Sequence, residues 1–210
     1  IRLPRVLFAA LCGAGLEICG VVMQALVVNP IADPYLLGIS SGASAGASFA
    51  LLMPLPFFAG QNQTTIMAFI GAVFSAFVVY YMAKKAGGGR LQLITLLLSG
   101  TAVNAVMSAV TSYLIFRAKS PESIAAVYNW QMGSIASAQW KTLFLPAVGI
   151  SLGAVTITFC AGKFNLIMMG DDDAAAMGLR VTWFRSIMFL LSSLMVASLV
   201  SVTGVIGFVG

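Results

Sequence analysis

The chain has 210 residues, of which 60% are hydrophobic and only 8% charged, and its mean hydropathy is +1.01. A water-facing surface ordinarily requires about 25% charged residues, so a soluble domain is excluded and most of the surface must meet lipid or other helices. The net charge of +5 comes from basic residues scattered between apolar runs, as membrane-flanking anchors are, which excludes a nucleic-acid partner.

A bilayer-crossing helix needs about 20 mostly apolar residues, and six runs read as spans. The opening Ile1-Arg2-Leu3-Pro4-Arg5 leads into an apolar run too long for a signal peptide, with no cleavage pattern behind it. That first span, 6–28, is stopped by Asn29-Pro30 and Asp33-Pro34, because proline disfavours helix in the residue before it and Asn and Asp bond to nearby backbone. Near its middle stands Glu17, where a charge costs at least ~2.5–3.5 kcal/mol. It is expected to face other helices and to be protonated through desolvation. The second span, 38–55, is short and rich in Gly, Ser and Ala, and its Gly42-x-x-x-Gly46 pair predicts close helix packing. The third, 65–82, closes on Lys84-Lys85 and Gly87-Gly88-Gly89, and the fourth covers 91–116. Ser120-Pro121-Glu122 then predicts a short helix to about 132, with Ser as cap, Pro in the first turn and Glu at the positive dipole end. Its Tyr128 and Trp130 suit a membrane interface. The fifth span is 143–160. The polar stretch 165–179 predicts a second short helix, 174–177, opened by Asp171-Asp172-Asp173 and closed by Gly178. The sixth span runs from 186 to about 205. With no initiator Met and an end inside Gly204-Val-Ile-Gly-Phe-Val-Gly210, the chain is expected to be a fragment of something longer.

These elements place Lys84, Lys85, Arg90, Lys163, Arg180 and Arg185 on one side, and Arg2, Arg5, Arg117, Lys119 and Lys141 on the other. The positive-inside tendency favours the first side as cytoplasmic. Cys12, Cys19 and Cys160 lie in apolar context without C-x-x-C spacing and read as packing residues. The eleven methionines likewise read as adaptable packing rather than a metal path. Gly38-Ile39-Ser40-Ser41-Gly42 has the spelling of a nucleophile elbow, but the chain has no His to act as base. The same lack removes H-E-x-x-H zinc chemistry, and no phosphate-binding loop of the G-x-x-x-x-G-K-S/T type is present. No cofactor, metal site or enzymatic activity is therefore expected. An ion-coupled secondary transporter would need intramembrane carboxylates, and only Glu17 qualifies. A structural membrane fragment without transport of its own is the third alternative.

The stretch Gly20-Val-Val-Met-Gln24-Ala-Leu-Val-Val-Asn29-Pro30-Ile-Ala32-Asp33-Pro34-Tyr-Leu-Leu37-Gly38-Ile-Ser40-Ser41-Gly42-Ala43 strongly resembles the signature of the FecCD family of ABC-importer permeases, which carry iron–siderophores, haem and cobalamin. Three further stretches agree in order and spacing. Trp130-Gln-Met-Gly133-Ser134 resembles the family's W-x-x-G-S element. Residues 166–178 resemble its cytoplasmic L-x-x-x-G-D/E-x-x-A-x-x-L-G loop, with Met177 at the usual Leu. Gly204-Val-Ile-Gly207-Phe208-Val209-Gly210 is similar to the start of its G-x-I-G-F element.

The resemblance implies an all-α polytopic bundle in the bacterial inner membrane, with about six of a probable ten spans present in one permease domain, 1–210. It implies a second permease copy (identical or paralogous), ATP-hydrolysing cassette subunits and a periplasmic or lipid-anchored substrate-binding protein as partners. A ferric siderophore is the expected substrate, with haem or cobalamin as alternatives. Residues 164–180 become the loop that couples to the ATPase, through Gly170, Asp171, Asp172, Asp173, Ala174 and Gly178. Arg2 and Arg5 become docking residues for the binding protein, because Arg grips a carboxylate with two hydrogen bonds. Candidates for the gate and pathway are Gln24, Asn29, Pro30, Asp33, Pro34, Leu93, Ile94 and Glu17. The family's cytoplasmic gate falls near 92–95, where this chain has bulky Leu93 and Ile94 instead of small hydroxyl residues.

Overall fold

The computed structural model describes residues 2–29, 38–53, 63–136 and 138–206. Among them the chain is helical: α1 (Arg2–Val27), α2 (Ile39–Leu52), α3 (Gln63–Ala86), α4 (Leu93–Phe116), α5 (Pro121–Gln131), α6 (Trp140–Phe159), α7 (Ala161–Met169), α8 (Asp171–Ala176) and α9 (Val181–Thr203). Five of these, α1, α3, α4, α6 and α9, are long and apolar enough to cross a membrane, and the chain is a multi-pass membrane protein.

The second of the six expected spans is the shortest in the structure. The second candidate forms α2, which has 14 residues and is thus about 21 Å long, short of a hydrocarbon core of about 30 Å. Its amino end sits deep in the bundle. Gly38 opens it with φ 75°, a left-handed conformation that favours glycine, and its carbonyl accepts bonds from the hydroxyls of Ser75 at 2.6 Å and Ser41 at 2.9 Å. Ser75 is the midpoint of α3, and a Cβ on Gly38 would lie 3.3–3.4 Å from backbone atoms of Gly100 and Asn104, a third of the way along α4. From there α2 runs antiparallel to the first half of α3, until the Gln63 side chain donates to the Ala50 carbonyl. Composition revealed the apolar character of this run but not the depth at which its helix begins.

The α2–α3 seam is made of glycine. A Cβ on Gly42 would collide with Ser75 and the Gly71 carbonyl, one on Gly46 with the Met67 carbonyl, and one on Gly71 with the Gly42 carbonyl. The small-residue spacing thus brings two backbones into direct contact.

Helix α9 is the centre of the bundle, packed on α3, α1, α6 and α2. Its buried hydroxyls do not need partners on other helices. Ser186, Ser192, Ser193, Ser198, Ser201 and Thr203 each donate to a carbonyl three or four residues back in α9, which satisfies them locally at a small cost in helix regularity. Phe8, Cys12, Leu16, Cys19, Val22, Met23 and Leu26 of α1 complete the core with Phe189, Met195 and Leu199 of α9. Cys12 and Cys19 are buried free thiols, as their apolar context predicts.

The short helices sit at opposite ends. At one end, Ser120 caps α5 by accepting from the Ser123 amide at 3.2 Å, with Pro121 and Glu122 in the first turn, as the sequence predicts. At the other, α7 follows α6 after Cys160, and α8 begins at Gly170, whose φ of 130° turns the chain. The α7 helix goes beyond the sequence reading, which has only 174–177 helical in this stretch.

Candidate functional site

Among the described residues, three surfaces carry the polar chemistry. The first is the α7–α8 end. Asp172 and Asp173 are exposed, while Ala174 is fully buried and anchors α8 against the bundle. Asp171 pairs with Arg185 of α9 at 2.8 Å. Gly178, at φ 88°, ends the turn, and the Leu179 amide donates to the Ala174 carbonyl. Gly170, Asp171, Asp172, Asp173, Ala174 and Gly178 therefore form one compact projecting element. Lys163 lies 5.9 Å from the Phe184 ring, and Lys84 bonds Tyr80 at 3.2 Å, which gathers basic residues at this same end.

The second is the outward face of α4. Thr101, Asn104, Ser108 and Ser112 are all exposed and recur every three or four residues, so they stand on one face of the helix. Ile94 and Leu98 continue that face toward the α8 end and are 68% and 63% exposed. This polar stripe was missed in the sequence, although its spacing is visible there, because the hydropathy of the run as a whole hides it. Leu93 is the first residue of α4, and its side chain lies outside the described residues.

The third is the α5 end. Gly133 and Gly204 meet with φ 66° and 74°. A Cβ on Gly204 would strike the Trp130 carbonyl, and one on Gly133 would approach the Val205 carbonyl. The Ser134 amide donates to the Thr203 carbonyl at 2.7 Å. The W-x-x-G-S stretch and the glycine after α9 thus form one joint. A recess of about 360 Å³ beside it is lined by Thr64, Thr65, Asn129, Trp130 and Ser201, among others. Arg5 is exposed near the start of α1, and the Arg2 side chain lies outside the described residues.

The remaining candidates do not converge. Gln24 is exposed on α1, and the Asn29 amide donates to the Gln24 carbonyl at 3.2 Å. Pro30, Asp33 and Pro34 lie outside the described residues. Among the described residues Glu17 is exposed on α1, in line with Ala10, Ala14, Val21 and Gln24. The cause is helical phase: α1 commits Cys12, Leu16, Cys19 and Met23 to the core, and that turns position 17 outward.

The model of the FecCD transport family matches residues 1–210. The chain belongs to this family. It is 36% identical to the cobalamin import system permease protein BtuC of Halobacterium salinarum, over 100% of this chain and 55% of that protein. It is 35% identical to the hemin transport system permease protein HmuU of Yersinia pestis, over 100% of this chain and 62% of that one. Among solved structures, one of a metal-chelate type ABC transporter in an inward-facing conformation superposes with a TM-score of 0.90 at 28% identity, covering 100% of this chain and 65% of that one. The FecCD chain described here thus spans about 55–62% of the length of these two relatives.

Proposed function

We propose that this FecCD chain is part of the permease of an ATP-binding-cassette importer that moves a metal chelate across the inner (cytoplasmic) membrane. A ferric siderophore is the substrate favoured, with haem or cobalamin as alternatives. The observation that carries the reading is the family match along the whole chain. In this reading ATP is hydrolysed by partner subunits, and residues 164–180 couple the permease to them. The α8 end is then cytoplasmic, and α8 projects where a soluble ATPase can seat it. The polar face of α4, with Thr101, Asn104, Ser108 and Ser112, lines the path together with a second permease copy, and Ile94 and Leu98 close its cytoplasmic mouth. The exposed Glu17 face of α1 is one that further helices must cover, since lipid contact there costs at least ~2.5–3.5 kcal/mol. The relatives' extra length supplies the residues for such helices.

The test is uptake into proteoliposomes containing the complete permease, its ATPase subunits and its binding protein. ATP-dependent accumulation of one labelled chelate, from among ferric siderophore, hemin and cobalamin, is expected, saturable and absent without the binding protein. Accumulation driven by an ion gradient without ATP would overturn the reading.

On the opposite side, Arg2 and Arg5 are assigned to docking the binding protein through its acidic residues. Such contacts chiefly set association rate and orientation, and salt screens them. Reversal of both charges, Arg2→Glu with Arg5→Glu, is expected to slow association at low salt by about tenfold or more, with little change at high salt. Surface-plasmon resonance on the complete permease measures this. An association rate untouched by the double reversal at low salt would leave these arginines as membrane anchors only.

A further inference from the structure

Arg185 stands in the first turns of α9 and touches two separate parts of the chain. Its Nη1 donates to Asp171 Oδ2, the first residue of α8, at 2.8 Å, and lies 3.5 Å from the carbonyl oxygen of Leu91. Leu91 belongs to the turn that opens α4 and is itself 5% exposed. The Arg185 side chain is 13% exposed, against 54% for Asp171, and its Nε is buried with no partner. Among the described residues this is the only salt bridge.

The arrangement has an unusual economy. A guanidinium brought out of water needs acceptors for its donors, and here the acceptors come from two elements that have no covalent reason to move together. Asp171 is 14 residues away in the chain, and Leu91 is 94. Ile94, at the mouth of α4's polar face, follows Leu91 by three residues. Both acceptors meet the same Nη1, so displacing one of them moves the donor of the other contact. The neighbouring Ser186 is buried, which sets this part of α9 inside the bundle and leaves the guanidinium end as the part that responds.

We infer that Arg185 is a positioning residue that joins the start of α8 to the turn before α4, so that a displacement of α8 is passed to the gate residues Ile94 and Leu98. The inference rests on the transport reading given above, in which α8 receives the push from the ATPase. The load path is short: α8 to Asp171, Asp171 to Arg185, Arg185 to the Leu91 carbonyl, and thence into α4. It uses a backbone carbonyl at its far end, so the side chain at 91 is free of the role.

The experiment uses the complete transporter in proteoliposomes and two readouts. The first is substrate transported per ATP hydrolysed, for wild type, Arg185→Gln, Arg185→Lys, Asp171→Asn and the Arg185→Gln/Asp171→Asn pair. Arg185→Gln is expected to lower this ratio about tenfold, and Arg185→Lys less, because the ammonium keeps the charge for Asp171 but ends one bond short of the Nη1 position from which both acceptors are reached. The double variant is expected to be no worse than Arg185→Gln, since both changes cut the same link. The second readout is the distance between spin labels at Asp172→Cys and Gln92→Cys, both exposed positions, in a Cys160→Ser background. A single narrow distance that shifts with nucleotide is expected in the otherwise wild-type protein, and a broad, nucleotide-insensitive one in Arg185→Gln. An unchanged ratio and unchanged distances in Arg185→Gln overturn the inference. So do losses that multiply in the double variant, or failure of both single variants to reach the membrane, which would make the contact a folding element. A wild-type protein without ATP-dependent transport sinks the transport reading instead, and the label distances separate that case from failure of the link.

Discussion

Leucine in place of Gly46 is expected to abolish accumulation of the folded protein in the membrane. Even the first added carbon would meet the Met67 carbonyl of α3, and backbone, unlike a flexible side-chain tip, has nowhere to retreat. Gly42 and Gly71 close the same seam from the other sides, so α2 cannot slide along α3 to relieve the clash. Overpacking a tight core costs about 1–3 kcal/mol and occasionally more. Here four added heavy atoms push two helices apart along a face that also carries the Ser75–Gly38 bond. Against a total stability of roughly 5–15 kcal/mol, loss of this seam is enough to unfold the protein. Gly162 of α7 provides the control. A Cβ there meets nothing within 4 Å, so Gly162→Ala is expected to be neutral or stabilising by about 0.5–1 kcal/mol through lower chain entropy in the unfolded state. Fluorescence-detected size-exclusion of tagged variants in mild detergent reads both. A monodisperse Gly46→Leu peak at wild-type height would show that the seam tolerates separation.

Proline at position 175 is expected to destroy ATP-dependent uptake while leaving the protein in the membrane. Helix α8 has only six residues, and a helix so short has no cooperative reserve of its own. Proline there removes the amide that would bond back toward Asp171 and sets its ring against that carbonyl, at a cost of about 3 kcal/mol. The rest of the bundle is insulated from the change, because Ala175 is exposed and α8 contributes only Ala174 to the interior. Membrane level within about twofold of wild type is therefore expected, with co-purification of the ATPase subunits reduced at least tenfold. Undiminished co-purification and uptake in Ala175→Pro would take α8 out of the coupling path.

What could be read before any coordinates were known follows a physical division. Local chemistry was legible. Ser120, Pro121 and Glu122 form the α5 start that their types predict, and α1 ends at Val27, just before Asn29-Pro30. Glycine spacing predicted a close helix pair, and Gly42 and Gly46 make one. Depth and facing were not legible, because they depend on neighbours distant in the chain. Hydropathy cannot tell a helix that runs the length of the bundle from one that begins inside it, as α2 does beside Ser75. Nor does it say which face of α1 the described helices bury and which, with Glu17, they leave exposed. The Arg185 contact joins residues 94 positions apart and leaves no trace in spacing. The motifs at Trp130–Ser134 and at Gly204 were seen separately, and only the fold shows that they are two halves of one joint.

The starting depth of α2 has an electrostatic consequence. Its first-turn amides point from the interior of the bundle toward the end where α8 lies, where an apolar surrounding offers few acceptors. The positive end of the helix dipole, equivalent to roughly half an elementary charge, therefore acts deep in the bundle, beside the backbone of Gly100 and Asn104 in α4. In a medium of low polarity that partial charge is weakly screened. It raises the energy of a bare cation arriving at this level and lowers that of an anion or of a metal enclosed by oxygen donors of an organic shell. In the transport reading proposed above, the helix start would act as a charge barrier, set by backbone geometry and fixed by a glycine whose φ of 75° other residues adopt only with strain.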